Sequence, residues 1–177
     1  MKKLILFFSV LFVLTSCQNV EKFRGPIEEL AGEWEVATSS VTNVANLVKN
    51  AKADWSSKMQ LMNAAKETIG EADLEALQGL LTQGEGLDVS MGEVGTQIQS
   101  FIGDWTEKSK GLTALTDGLA AGKIEGNVPE QIASLKEALA GATSNVTGWT
   151  DKLNELRTTG ETIATEFQAL SSNDDGE

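Results

Sequence analysis

From Ile27 onward, apolar or small residues return along the chain at alternating steps of three and four: Ile27, Leu30, Trp34, Ala37, Val41, Val44, Val48, Ala51 and Trp55. Beyond Trp55 the apolar or small residues go on at Met59, Met62, Ala65 and Ile69, still three or four apart but without strict alternation. Such a period keeps a narrow stripe on one side of an α-helix and matches a coiled-coil seam. Pro26 suits a first helical position and Gly70 a helix stop, so the spacing predicts a first helix over 26–69. Within it, Val36 to Thr42 is crowded with β-branched and hydroxyl residues, which lower helix propensity and predict a bend or restart.

After Gly70 the seam returns at Leu74, Leu77 and Leu81, meets Gly84 Glu85 Gly86, and returns again from Met91 through Val94, Ile98, Phe101, Trp105, Lys108, Leu112, Leu115 and Leu119. Two glycines in three residues predict a break, and Ser90 with Glu93 has the spacing of a capping box. Helix two therefore reads as 72–83 followed by 91–121, with Lys108 as its one polar seam residue. Pro129 opens a third helix whose seam is Ile132, Leu135, Leu139, Ala142, Val146, Trp149, Leu153, Leu156, Gly160, Ile163, Phe167 and Leu170. Segments of about 44, about 50 and about 43 residues joined by short connections predict an all-α, elongated antiparallel three-helix bundle with coiled-coil-like seams. If the 72–83 segment folds back at the glycines, a four-helix bundle is the alternative. Residues 17–25 read as a tether, 26–171 as the bundle, and 172–177 as an acidic disordered tail.

Antiparallel helices allow a register check. Trp34 lies about 35 residues before the first turn and Trp105 about 34 after it, so a rise of about 1.5 Å per residue places both indoles in one layer.

The chain opens with Lys2 and Lys3, followed by the apolar run Leu4 to Leu14 interrupted by Ser9 alone. As a helix that run is about 16 Å long, half of the roughly 30 Å hydrocarbon core of a bilayer, so it reads as a cleaved secretion signal over residues 1–16. The next residues, Leu14 Thr15 Ser16 Cys17, resemble the lipobox of bacterial lipoproteins: an aliphatic residue, two small residues and a cysteine. The resemblance implies cleavage between Ser16 and Cys17, a diacylglycerol on the Cys17 sulfur and an acylated amine. It implies no other cofactor. Cys17 is the single cysteine, so the exported chain has no internal disulfide to form. Gln18, rather than aspartate, follows the cysteine and favours the outer membrane. One acid among Gln18 to Lys22 favours the periplasmic face over the cell surface.

Charge removes further functions. Without the signal, 12 basic and 26 acidic side chains remain, a net charge of −14, which repels phosphate backbones and anionic headgroups. Nucleic-acid binding is excluded on that ground. Histidine is absent, which removes the commonest general base and metal ligand. No catalytic or metal-binding constellation is evident, and the chain reads as no enzyme.

Trp55, Trp105 and Trp149 share a context, each followed three residues later by lysine at Lys58, Lys108 and Lys152. With Trp34 they form the one candidate aromatic ligand or partner site. Their seam positions equally suit core knobs of related helices. Two functions follow: a lipid-anchored helical spacer or protein-binding module with an envelope protein partner, or a bundle that takes a small apolar ligand between the tryptophans, Met59 and Met62. A cavity of about 300 Å³ or more would separate the second from the first. Self-association through the seams is also open.

Overall fold

The computed structural model describes residues 20–173. The signal, the lipobox with Cys17, and the acids Asp174, Asp175 and Glu177 lie outside them. Among the described residues are three long helices and no strand: α1 Arg24–Ala64, α2 Leu74–Ala120 and α3 Val128–Asn173, with a short 3-10 turn at Ala65–Glu67 after α1. They form a three-helix bundle. Its contacts fall into two compact units, each built from parts of all three helices. Among the described residues, unit 1 combines those up to Ser40 with Phe101–Ser144, and unit 2 combines Val41–Ser100 with those from Asn145 on.

The seams form the core. In unit 1, Ile27, Leu30 and Trp34 of α1 cluster with Trp105, Leu112, Leu115 and Leu119 of α2 and with Val128, Leu135, Leu139 and Ala142 of α3. In unit 2, Val41, Val44, Val48, Trp55 and Met62 of α1 are buried, as are Leu77, Leu81, Leu87, Met91, Val94 and Ile98 of α2 and Trp149, Leu153, Leu156 and Ile163 of α3. No polar or charged side chain is buried among the described residues.

Helix α2 is one uninterrupted helix, which corrects the break expected at 84–90 and excludes the four-helix alternative. The reason lies across the seam. Gly84 is buried, and a Cβ there would collide with the Met59 sulfur and come within 3.1 Å of the Trp55 ring. Its backbone carbonyl also accepts a hydrogen bond from Trp55 Nε1 at 2.9 Å. Gly84 thus fills the seam place between Leu80 and Leu87, where side-chain room is given up to an indole. Ser90 makes no cap; its hydroxyl donates to the Gly86 carbonyl one turn back, at 3.0 Å.

Helix α1 likewise runs through Val36–Thr42 without restarting. Thr38 and Ser40 return their hydroxyls to the carbonyls of Trp34 and Val36, so these polar groups are satisfied within the helix. Lys108 is exposed rather than part of the seam, and Ser109 beside it turns inward. The tether is also shorter than expected, because Val20 and Phe23 already pack against the unit 1 core.

The α2–α3 connection is held by local geometry. Gly122 takes φ 69°, and the Lys123 N–H donates to the Gly118 carbonyl at 2.8 Å while the Gly122 N–H donates to Leu119 at 3.1 Å. This satisfies the last carbonyls of α2 in a Schellman arrangement that favours glycine. Asn127 then caps α3: its side-chain oxygen accepts from the Glu130 N–H at 3.4 Å, and its amide donates back to the Glu130 carboxylate at 3.1 Å.

Candidate functional site

The four tryptophans are all buried, but they divide between the units. In unit 1, Trp34 and Trp105 stack with ring centroids 3.7 Å apart and planes 10° from parallel, as their common layer predicts. Phe101 adds a third ring 5.6 Å from Trp105. The two indoles are clasped reciprocally. Trp34 Nε1 donates to Ser109 Oγ at 2.9 Å, and Ser109 Oγ donates to the Trp105 carbonyl at 2.8 Å. In mirror fashion, Trp105 Nε1 donates to Thr38 Oγ1 at 2.9 Å, and Thr38 Oγ1 donates to the Trp34 carbonyl at 2.8 Å. Each indole therefore uses a hydroxyl four residues beyond its partner, an arrangement that pins the pairing of α1 with α2 within this unit.

In unit 2, Trp55 lies between two backbones. Its ring meets Gly84 of α2 on one side and Gly160 of α3 on the other, where an added Cβ would stand 3.3 Å from the indole and 3.1 Å from Leu87. Trp149 is buried in the same unit. Met62 is fully enclosed, and Met59 packs on Gly84. The indole nitrogens of Trp34, Trp55 and Trp105 are thus all spent on internal partners, and the rings fill the seam.

Open space lies elsewhere. A groove of about 490 Å³ in unit 1 is lined by Glu107, Lys108, Gly111, Asn127, Gln131 and Leu135, among others, and by no tryptophan or methionine. A smaller hollow of about 230 Å³ in unit 2 reaches the edge of Trp55 and Met91, with Asp54, Lys58, Arg157 and Glu161 on its walls. The first is large enough for a small ligand but lacks the aromatic lining. The second has the indole but lies below about 300 Å³ and is ringed by charge.

Among the described residues, no group of three or more acidic or cysteine side chains is placed to hold a metal. A three-membered ion cluster lies at the start of α1. Arg24 makes a two-pronged bond to Glu21, at 2.6 and 3.1 Å, and a third to Glu28 at 3.2 Å. The hydrogen bond from Arg24 holds the Glu21 carboxyl below the usual glutamate range.

In unit 2, residues 41–48 of α1, 94–100 of α2 and 145–150 of α3 contain no charged side chain. Val48 faces Gly95, which sets the α1 and α2 runs side by side; Gly160 of α3 meets Trp55 and Leu87, and helical rise from that contact carries the α3 run toward the same end of the unit. Their outer positions are Thr42, Asn43, Asn46, Leu47, Thr96, Gln97, Gln99, Ser100, Asn145 and Gly148, all exposed, and Leu47 is 52% exposed. A count of charges by helix position would have found this surface in the sequence.

The remaining candidate is Cys17, three residues before the first described one. Residues 1–18 match the family described as the prokaryotic membrane lipoprotein lipid attachment site. The chain is a bacterial lipoprotein. The match ends at the anchor and does not reach the bundle. No curated protein and no solved structure matches the chain. None of the described helices of this lipoprotein is long and apolar enough to cross a membrane. It is therefore a membrane-anchored protein by virtue of the lipid attachment site.

Proposed function

We propose that this lipoprotein is a non-enzymatic envelope spacer or adaptor that docks another envelope protein on the uncharged surface of unit 2. The observation that carries the reading is that surface itself. On a mature chain with a net charge of −14, the outer positions of these three runs, about half of their residues, carry no ion and surround exposed Leu47. The cores of protein interfaces are depleted of charge, because an ion buried at a contact loses hydration that its new partner must replace. Thr, Asn, Gln and Ser side chains surrounding a leucine supply hydrogen bonds at a lower desolvation cost.

The non-enzymatic part of the proposal is supported by the placement of the ionisable groups. None is buried among the described residues, so none sits in the dry setting that tunes a general acid or base. The outer membrane, on its periplasmic face, is the proposed location, from Gln18 and the sparse acids that follow Cys17.

Site-specific photocrosslinking in cells tests the reading. A crosslinker at Leu47 should yield a discrete protein adduct, one at Glu166 in the same unit should not, and Gln99→Glu should abolish the first while leaving the helical circular dichroism intact. Identical adducts from both positions, or an adduct indifferent to the introduced charge, would refute it.

A further inference from the structure

We infer that one end of unit 1, formed by the start of α1 and the α2–α3 loop, is the surface that rests on the lipid headgroups. The inference rests on the anchor and is independent of partner docking on unit 2.

Chain length supplies the first argument. Three peptide steps separate Cys17 from Val20, a reach of about 10 Å even when fully extended. Half the difference between the hydrocarbon core and the full bilayer leaves a headgroup layer of about 5–7 Å, through which the tether must first pass. Only a few ångströms remain before Val20, and Val20 is already fixed to the fold: it packs with Phe23 on the cluster containing Leu119 and Val128. Ile124, in the loop between α2 and α3, packs on the same cluster. The positive-φ glycines Gly122 and Gly126, the Asn127 cap and a 2.9 Å bond from Gln131 Nε2 to the Glu125 carbonyl hold this loop in shape. Whatever carries Cys17 to the membrane carries the loop with it.

Charge supplies the second, independent argument. Residues 20–25 and 121–127 hold three cations, Lys22, Arg24 and Lys123, against two acids, Glu21 and Glu125. The rest of the mature chain holds 9 basic and 24 acidic side chains. Glu28, which also binds Arg24, makes this end about neutral on a strongly acidic molecule, so anionic headgroups repel the helix flanks more than the end. Lys22 reinforces the fit: its ammonium lies 4.8 Å from the Phe23 ring centroid, an apolar base under a cationic head of the kind that settles at a membrane interface.

The single native cysteine is consumed by the lipid, so an added one can be labelled uniquely. The full lipidated protein, carrying Glu125→Cys or Ser144→Cys and an environment-sensitive fluorophore, is placed in vesicles of phosphatidylethanolamine and phosphatidylglycerol containing a headgroup spin label. Both positions belong to unit 1, and α3 separates Ser144 from its own first residue by about 24 Å. Quenching at position 125 should exceed that at 144 several-fold. Equal quenching at the two positions, as for a bundle lying on its side, or no quenching at 125, would overturn the inference.

Discussion

Removing the acceptor from one half of the tryptophan clasp is the sharpest test of how unit 1 is held. Thr38→Val keeps the size and the β-branching of the side chain, so helix propensity is almost unchanged. It removes the oxygen that accepts from Trp105 Nε1 at 2.9 Å. Because Trp105 is buried, its N–H is left without a partner, at a cost of about 1–3 kcal/mol. For a domain of this size each kcal/mol lowers Tm by about 2–4 °C, so the expected fall is on the order of 2–12 °C. The indoles stack, and each hydroxyl serves the opposite one, so a double-mutant cycle with Trp105→Phe should show coupling. Trp105→Phe should cost about 1 kcal/mol less in the Thr38→Val background than alone, because the orphaned donor leaves with the indole. Urea denaturation of the chain from Gln18 onward, followed by far-UV circular dichroism, measures all four corners without relying on tryptophan emission. A cost for Thr38→Val under about 0.5 kcal/mol, or additivity within about 0.3 kcal/mol, would show that the clasp does not hold the helices as described.

Other predictions address the remaining contacts. Gly84→Ala and Gly160→Ala should destabilise unit 2 by about 1–3 kcal/mol through overpacking on Trp55, Met59 and Leu87, despite alanine's better helix propensity. Gly79→Ala and Gly141→Ala, where nothing lies within 4 Å of the new Cβ, should instead stabilise by about 0.4–1 kcal/mol in the same melts. Amide hydrogen exchange at residues 84–86 should be slow, as in a helix interior; fast exchange would restore a break in α2. Glu21 has its folded-state pKa lowered by Arg24, so its contribution to stability is present above the ordinary glutamate pKa and is lost as pH falls through the lowered value. NMR titration of its carboxyl should give a midpoint below the ordinary glutamate value, and Arg24→Gln should return it to the ordinary range.

Much of the fold could be read from spacing because the seams of α1 and α3 run without interruption and seam-to-seam burial requires nothing beyond period and length. Counting residues from the turn was sufficient to bring Trp34 and Trp105 together, since helical rise is nearly constant. Gly84 was misleading for a physical reason. A glycine that breaks a helix and one that admits a neighbouring ring look alike along the chain, and here Trp55 and Met59 on another helix decide between them. The hydroxyl-rich stretch around Thr38 and Ser40 misled in the same way, because the bonds that satisfy it, back along α1 and across to Trp105, depend on conformation and partner. The α1 entry was packed earlier than expected because Val20 and Phe23 are too few to show a period, and their burial rests on a core cluster drawn from α2 and α3 as well as α1. The anchor was legible because its chemistry is local: four consecutive residues and the signal before them are enough to define it.

The lipid at Cys17 fixes where this protein sits, and intact-mass and peptide mass spectrometry of the protein taken from membranes tests it directly. The predicted result is a chain that begins at Cys17 and carries a thioether-linked diacylglycerol, with residues 1–16 gone and no such species formed by Cys17→Ser. A membrane-associated chain that retains residues 1–16, or begins elsewhere with an unmodified Cys17, would contradict it.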